Sequence, residues 1–535
     1  MSGKSKLVRA LMLTLAVAGL SGAAAAEGFV YTALDMAKSP ANEKPAKAFD
    51  GNKGSKWLAF TPTAWLQVEA PAAVKPAAYA LTSANDEPPR DPKSWKLLGS
   101  DDGKTFVELD AQADQVFTGR FRQLTFKLNL ARAYRYFRLQ VVANNGDDGK
   151  KDGTPARVQL GEFDLLDAAG KSLVRTPPKP FEYPASASAP LPDWAFGPFV
   201  RPAGVNPVIA PRLDIAFDCP MRKRPLKWEE SDTFNPAATV KDGKIVVLYR
   251  AEDNTFQGIG KRTSRVGYAE TTDGFTMTRD TSPVLFPQED DQKAFDWEGG
   301  CEDPRVAMTE DGLYVCTYTS WNRKVPRLCV ATSRDLKTWR KHGPAFAKAQ
   351  NGRWLNMGCK SGAIVQAPSK KDPSKYVITK IDGRYVMYWG EASMDLAYSD
   401  NLIDWTPAGT VMRTRRGYFD SALTEVGAAA ILTEKGIVVF YNGKNSNGAG
   451  ADARFPLGVY CGGQALFSAT EPSKFLARLD VPYFRPEADF ERTGQYKDGT
   501  VFTEGLVFYK GKWHLYYGCA DSFVGYAVWD PAAKK

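Results

Sequence analysis

Histidine is nearly missing from this chain: 535 residues hold only His342 and His514. A His-rich zinc site or a Ser-His-Asp triad is therefore not expected. Cysteine is sparse and oddly placed. All seven (Cys219, Cys301, Cys316, Cys329, Cys359, Cys461 and Cys519) lie in the C-terminal two-thirds, and none forms a CxxC pair. Several fall within apolar strand runs and read as small core residues, Cys301 and Cys519 included. No run of five or six like charges occurs and no helix interleaves Lys and Arg, so the formal net charge of +9 reads as surface solvation. Nucleic acid is not an expected partner. After the first segment no i, i+3, i+4, i+7 pattern persists for a helix's length. With 12% aromatic residues, 46 Gly and 35 Pro, the composition favours short strands and turns, and the expected class is all-β.

At the N-terminus, Lys4, Lys6 and Arg9 precede an apolar stretch, Ala10–Leu20, too short to span a bilayer comfortably, followed by small residues at Ala23–Ala26. This predicts a secretory signal over 1–26, a mature net charge of about +6, no membrane insertion after cleavage, and a periplasmic or secreted protein. At this length two domains are the default.

Residues 28–167 alternate apolar and polar residues between Gly/Asp/Asn turns, as in Trp65–Val68, Trp95–Ser100 and Tyr136–Val142, which predicts a β-sandwich. AFDGN (Ala48–Asn52) with Trp57, the WLQV strand, SWKLLGSDDGKTF and RYFRLQVV…LGEFDLL resemble the discoidin-like, or F5/8 type C, domain. That resemblance implies glycan binding and a structural calcium near the DGN loop, for which Asp50 and Asn52 offer suitable hard oxygens. The same segment also reads as a tight turn with polar caps. Residues 168–202, rich in Pro, Ala and Ser, predict a semi-extended linker that then wraps onto the second domain.

From residue 203 onward one unit recurs five times. Its strand runs are KIVVLYRAED (Lys244–Asp253), LYVCTYTSW (Leu313–Trp321), RYVMYWGEA (Arg384–Ala392), GIVVFYNGK (Gly436–Lys444) and KWHLYYGCADS (Lys512–Ser522). Each follows a turn such as KDG, EDG or IDG, and the repeat predicts a five-bladed β-propeller over 203–535. ATSRDLKTW and AYSDNLIDW read as outer-strand turns. At the other ends of the repeats stand FNPAA, LYRAED, GGCEDPRV, KSGAIV, YWGE, FDSALTEVG, TEGLV and CADS, most of them carrying carboxylates or Arg and several of them Gly or Pro. A ring of blades can aim such groups at one axial pocket, and a sugar site needs acids, Arg and aromatics together.

FNPAA, LYRAED, GCEDPRV, the ATS-DL-W turn, FDS and YYGCADS resemble glycoside hydrolase family 130, inverting enzymes acting on β-mannosides. The resemblance implies that Asp303 is the general acid, acting through a hydroxyl of the bound mannose. It also implies that Asn235, Arg250, Arg305, Asp420 and Asp521 grip that sugar. The family holds both phosphorylases and hydrolases. Where phosphorylases tend to carry His-Arg and Lys, this chain has Glu391 and Glu425, which would repel a phosphate dianion by roughly 1 kcal/mol or more each. Glu391 and Glu425 are instead implied to activate water; salt bridges to Arg413, Arg415 or Arg416 are their alternative role. Asn322, Arg323 and Lys380 remain as anion ligands for a phosphorylase. The expectation is an exported inverting β-mannosidase, β-1,2 linkage favoured, needing no cofactor and acting on a mannose-containing glycan. A β-mannoside phosphorylase is the first alternative and a non-catalytic glycan-binding protein the second.

Overall fold

The computed structural model describes residues 28–51, 55–117, 120, 122–149, 153, 155–168, 172–174, 181–256 and 260–533. The chain divides into two compact units, Met1–Thr176 and Pro177–Lys535. The expected leader lies outside the described residues, and no described helix is long and apolar enough to cross a membrane.

The first unit is an antiparallel sandwich. Its larger sheet has the order Val30–Ala33, Ala64–Val74, Tyr134–Asn144, Pro92–Ser100, Val107–Gln112. Its smaller sheet is Glu162–Leu166, Ala78–Thr82, Gln123–Lys127. Alternation sends Leu66, Val68, Leu97, Phe137, Leu139 and Val141 inward, around Trp57 and Trp95. The buried Trp95 indole donates to the Tyr79 hydroxyl at 3.0 Å, and that hydroxyl donates to Asp110, so neither polar atom is stranded.

The second unit is a five-bladed propeller, each blade an antiparallel meander. Blade 1 comprises Asp232–Lys241, Lys244–Glu252, Ser264–Thr271 and the short Thr278–Arg279. Blade 2 is Gly300–Met308, Tyr314–Trp321, Pro326–Ser333 and Arg340–Pro344. Blade 3 is Gly362–Pro368, Arg384–Trp389, Ser393–Ser399 and Thr406–Arg413. In blade 4 the inner strand is split into Leu423–Val426 and Ala430–Thr433, both pairing with Gly436–Lys444, before Tyr460–Phe467 and Phe475–Arg478. Blade 5 has Val501–Tyr509, Lys512–Cys519 and Phe523–Trp529.

Among the described residues blade 5 shows three strands, and isolated bridges from the start of the unit take the place of a fourth. Val200 bridges Val528 and Ile209 bridges Val524, which closes the ring. Phe196 packs edge-on against Phe440, Trp513 and Trp529, and its backbone N–H and C=O are both met by the Gln464 amide at 2.8 Å. The stretch expected as a linker over 168–202 is thus part of the propeller unit from residue 181 onward. Its Pro-rich composition suits an extended strand-like wrap as well as a free tether.

The outer turns behave as their sequences suggest. Asp335 accepts the backbone N–H groups of Lys337 and Thr338, Asn401 those of Ile403 and Asp404, and Asp273 those of Phe275 and Thr276. All seven cysteines are buried and unbridged.

Candidate active site

What aims the acidic groups is irregularity at the inner ends of the blades. In blade 1 the register shifts between Phe234 and Pro236, in blade 2 between Glu302 and Arg305, and in blade 5 between Thr503 and Gly505. Bulges of this kind re-aim side chains that strict alternation would send to opposite faces. Asn235 and Asp303 sit at these points with φ of 42° and 48°, and Ser361 and Asp521 take 60° and 52° at the corresponding ends of blades 3 and 5. Each such non-glycine residue costs on the order of 1–3 kcal/mol, a cost that concentrates at functional sites. Gly518 makes room for this geometry: a Cβ there would lie 2.3 Å from Asn235 Oδ1.

The result is a cavity of about 400 Å³, within the ~300–1,000 Å³ usual for small-molecule sites. All five blades and the loops around them supply Asn235, Arg250, Glu252, Glu302, Asp303, Lys360, Glu391, Glu425 and Asp521, with Phe234, Trp321, Tyr460, Tyr496 and Phe502 as aromatic walls. At its base Arg250 is buried and donates to Asp303 Oδ1 at 3.0 Å, to Glu302 Oε1 at 3.0 Å and to Glu252 Oε1 at 2.6 Å. Asn235 Nδ2 donates to the same Asp303 oxygen at 2.9 Å. On the other side Lys360 Nζ stands 4.0 Å from Asp303 Oδ2, 3.5 Å from Glu391 Oε1 and 3.6 Å from Glu425 Oε1. Ser361 Oγ donates to Glu425, and backbone bonds from Thr424 and Val426 to Glu391 and Gly390 lock the two glutamate-bearing segments together. Glu425 is buried, whereas the Glu391 side chain is 47% exposed at the mouth.

Burial is the largest influence on Asp303, Glu302, Asp521 and Glu425 and pushes each upward. For Asp303 the charges of Arg250 and Lys360, with the Asn235 hydrogen bond, outweigh burial and hold the acid at about 2. Glu302 is pushed up to about 7 by burial, with Arg250 opposing and Asp303 reinforcing. Asp521 reaches about 7 for the same reason, because Arg250 only partly offsets its burial and the charges of Asp303 and Glu252. Glu425 is also raised by burial, against Lys360. Lys360, which burial would push down, is held up by Glu425, Glu391, Asp303 and Glu302 and stays charged.

Of the eight propeller residues picked from sequence, six meet in this pocket: Asp303, Glu391, Glu425, Asn235, Arg250 and Asp521. Two do not. Arg305 lies beneath the floor, donating to the carbonyls of Val426 and Gly427 and of Asp303, and pairing with the buried Glu504 at 2.8 Å. It braces the site instead of touching its contents. Asp420 is taken up by Arg415, Arg478 and the Tyr441 hydroxyl, away from the pocket lining. The alternative that Arg413, Arg415 or Arg416 neutralises Glu391 and Glu425 gives way to Lys360. Lys360 stood within KSGAIV, yet a lone Lys beside small residues carries no spacing signal. Glu302 stands next to Asp303 within GGCEDPRV, and the register jump that brings both into the cavity leaves no mark in the sequence. Among the proposed anion ligands, Arg323 pairs with Glu298 and covers the Phe256 ring, Asn322 donates to Ala294 O, and Lys380 lies over Tyr385. None lines the pocket.

In the first unit the Asp50 carboxylate is engaged by Ser55 and Lys47, and Asn52, the other residue expected to bind calcium, lies outside the described residues.

Comparison with known proteins agrees with this geometry. The F5/8 type C domain model matches residues 32–151. A 1,2-β-oligomannan phosphorylase of a Thermoanaerobacter species is 29% identical over 313 residues, covering 58% of this chain and 93% of that protein. A β-1,2-mannobiose phosphorylase from the same source is 30% identical, covering 56% and 91%. Among solved structures, a glycosyl hydrolase from Bacteroides ovatus is 57% identical with a TM-score of 0.63, covering 65% of this chain and 97% of that one. Another, at 56% identity and TM-score 0.63 over 64% and 97%, is described within a family of mannoside phosphorylases containing glycoside hydrolases that target β-1,2 mannosidic linkages in Candida mannan. By name, the family model and the curated relatives speak for phosphorolysis, the alternative raised from sequence, and not for hydrolysis. Over residues 209–532, where the model described as β-1,4-mannooligosaccharide phosphorylase matches, this chain belongs to glycoside hydrolase family 130 and is an enzyme acting on mannosides.

Proposed function

We propose that the chain is an exported, inverting glycoside hydrolase that releases mannose from β-mannosides, with β-1,2 the favoured linkage. One observation carries this reading: Asp303, Glu391 and Glu425, from different blades, converge within 4.0 Å of a single ammonium, Lys360 Nζ. The Asp303 and Glu425 oxygens then lie no more than about 8 Å apart, a bound that overlaps the ~6.5–9.5 Å that inversion uses to hold a water between acid and base. Asp303 hands its proton toward the glycosidic oxygen by way of a mannose hydroxyl. Glu425, raised by its burial, and Glu391 at the mouth orient and deprotonate the water on the opposite face. Asn235, Arg250 and Asp521 hold the sugar's hydroxyls, and the aromatic walls take its apolar face.

The charge balance supports water over phosphate as the nucleophile. Both cations of the pocket are already matched by carboxylates, and a dianion entering beside Glu391 and Glu425 meets net repulsion. The relatives of 56–57% identity described as glycosyl hydrolases, or within a group containing them, point the same way. Phosphorolysis is the second reading, favoured by the names of the curated relatives at 29–30% identity and by Lys360, which an anion could claim from its glutamates. Incubation with β-1,2- and β-1,4-mannobiose, with and without phosphate, separates the readings. Free mannose at a rate indifferent to phosphate supports hydrolysis; mannose 1-phosphate formed only with phosphate overturns it. Binding with no product from either disaccharide indicates a glycan-binding protein. Export, through the expected leader, and glycan capture by the first unit belong to the same proposal.

A further inference from the structure

The acid step leaves a proton without a source. Asp303 must deliver one, yet its surroundings are built for the anion: Oδ1 accepts from both Asn235 and Arg250, and Oδ2 faces Lys360. At neutral pH its carboxyl is empty. The pocket as a whole is over-supplied with acid: Glu252, Glu302, Asp303, Glu391, Glu425 and Asp521 line it against only two lining cations, Arg250 and Lys360, with Arg262 reaching Glu252 at 3.7 Å and Arg305 acting from beneath the floor. Carboxylates confined this closely do not all ionise, and some of them keep protons.

Glu302 is placed to keep the one that matters. On a regular strand, consecutive residues face opposite ways; here the pairing jumps from Glu302 opposite Thr319 to Arg305 opposite Thr317, and Glu302 and Asp303 both open into the cavity. One guanidinium spans them, Arg250 Nη1 to Asp303 and Nη2 to Glu302, each at 3.0 Å. Ser264 Oγ adds a contact to Glu302 at 3.3 Å. The charged groups facing Glu302 are Arg250 and Glu252 from blade 1, Asp303 beside it and Lys360 from blade 3. Asp521, the other acid in a similar environment, shares no such bridge with Asp303.

We propose that Glu302 stores the proton that Asp303 delivers, so that the two carboxyls work as one acid holding a single proton between them. This rests on the glycosidase reading above, and the acid step is the same whether water or phosphate attacks. In the hydrolytic cycle the O–H bond of Glu302 breaks as one forms on Asp303, relayed by a sugar hydroxyl or water. Asp303 then passes the proton through the mannose hydroxyl to the glycosidic oxygen as its bond to the anomeric carbon breaks. The water oxygen bonds that carbon, and its surplus proton goes to Glu425 or Glu391. That proton leaves to solvent, and Glu302 is reloaded from solvent.

The test compares kcat and kcat/KM against pH for the full-length wild type, Glu302→Gln, Glu302→Asp and Asp303→Asn, on β-1,2-mannobiose. The wild type should show an alkaline limb near 7. Gln copies the shape and hydrogen bonding of a neutral Glu302 but cannot release a proton. E302Q should therefore lose on the order of 10²-fold in kcat at neutral pH with KM little changed. Its alkaline limb should move at least about one pH unit lower, and E302D should restore it in part. Wild-type kcat and an unmoved limb in a folded E302Q overturn the proposal. So does a wild-type profile that stays flat to pH 9, which needs no variant to fold. Failure of the underlying reading looks different: no wild-type product from any β-mannoside, or full activity in D303N.

Discussion

At the residue scale, partners decide what each carboxylate does. Asp303, Glu302, Asp521 and Asp420 are all buried acids near sheet ends, but Asp420 is consumed by two arginines and a tyrosine while Asp521 opens into the cavity. D303N should lower kcat by ~10²–10⁴-fold with KM little changed, read by steady-state kinetics on mannobiose. D420N, in contrast, should leave Arg415 and Arg478 without their shared acceptor and act through stability, seen as a lower Tm with kcat of the folded fraction retained. Stability should also respond to pH through these groups. Glu302 and Asp521 are raised to about 7, so the native state binds more protons than the unfolded chain between roughly pH 4.5 and 7, and their contribution falls as pH rises through that window. Asp303, depressed to about 2, stabilises above its unfolded value and loses that contribution as pH falls from roughly 4 toward 2. The double variant E302Q/D521N should flatten the fall in Tm between pH 5 and 8, measured by calorimetry; an unchanged slope would count against the protonation states described above.

At the scale of the element, the bulge is the device that matters, and it marks where sequence reading reaches its limit. The FNPAA, GCEDPRV and CADS motifs are legible as inner-end signals because polar and charged residues recur there at equivalent places. Asp303 follows from the family resemblance; which of its neighbours also faces the axis is not legible, since a bulge breaks the alternation that would decide it, and Glu302 goes unread for that reason. Arg305 falls on the far side of the register jump, where it ties Asp303 to blade 4. Burial already pushes the Glu504 carboxyl well up, so Arg305→Met leaves it neutral but without its partner and should cost ~1–3 kcal/mol, measured by denaturant unfolding. Gly518→Ala tests the same architecture from the opposite strand. Its methyl would drive into Asn235, and kcat/KM should drop by about tenfold or more while the blade remains folded.

For the whole molecule, the five-fold repeat made the propeller legible, and period-2 alternation made the sandwich so. The closure was obscured by composition, because PPKPFEYPASASAPLP carries linker residues yet leads into Phe196 and Val200, which seal blade 5. The pocket's aromatic rim was equally hidden: Tyr460 and Phe502 stand at the starts of strands of blades 4 and 5 and Tyr496 lies in the connection between them, all outside the recurring strand runs. Two units, each with its own core, predict that a chain starting at Pro177 folds alone and keeps the full-length kcat on mannobiose. One starting at residue 210, without the closing segment, should unfold at a markedly lower temperature.

A crystal structure of D303N bound to β-1,2-mannobiose puts the central claim to its most direct trial. The account predicts one mannose ring in the cavity over Arg250 and Lys360, a ring hydroxyl between residue 303 and the glycosidic oxygen, and a water held by Glu391 and Glu425 on the opposite face. A sugar bound elsewhere on the propeller, or an anion in place of that water with both glutamates turned away, would contradict it.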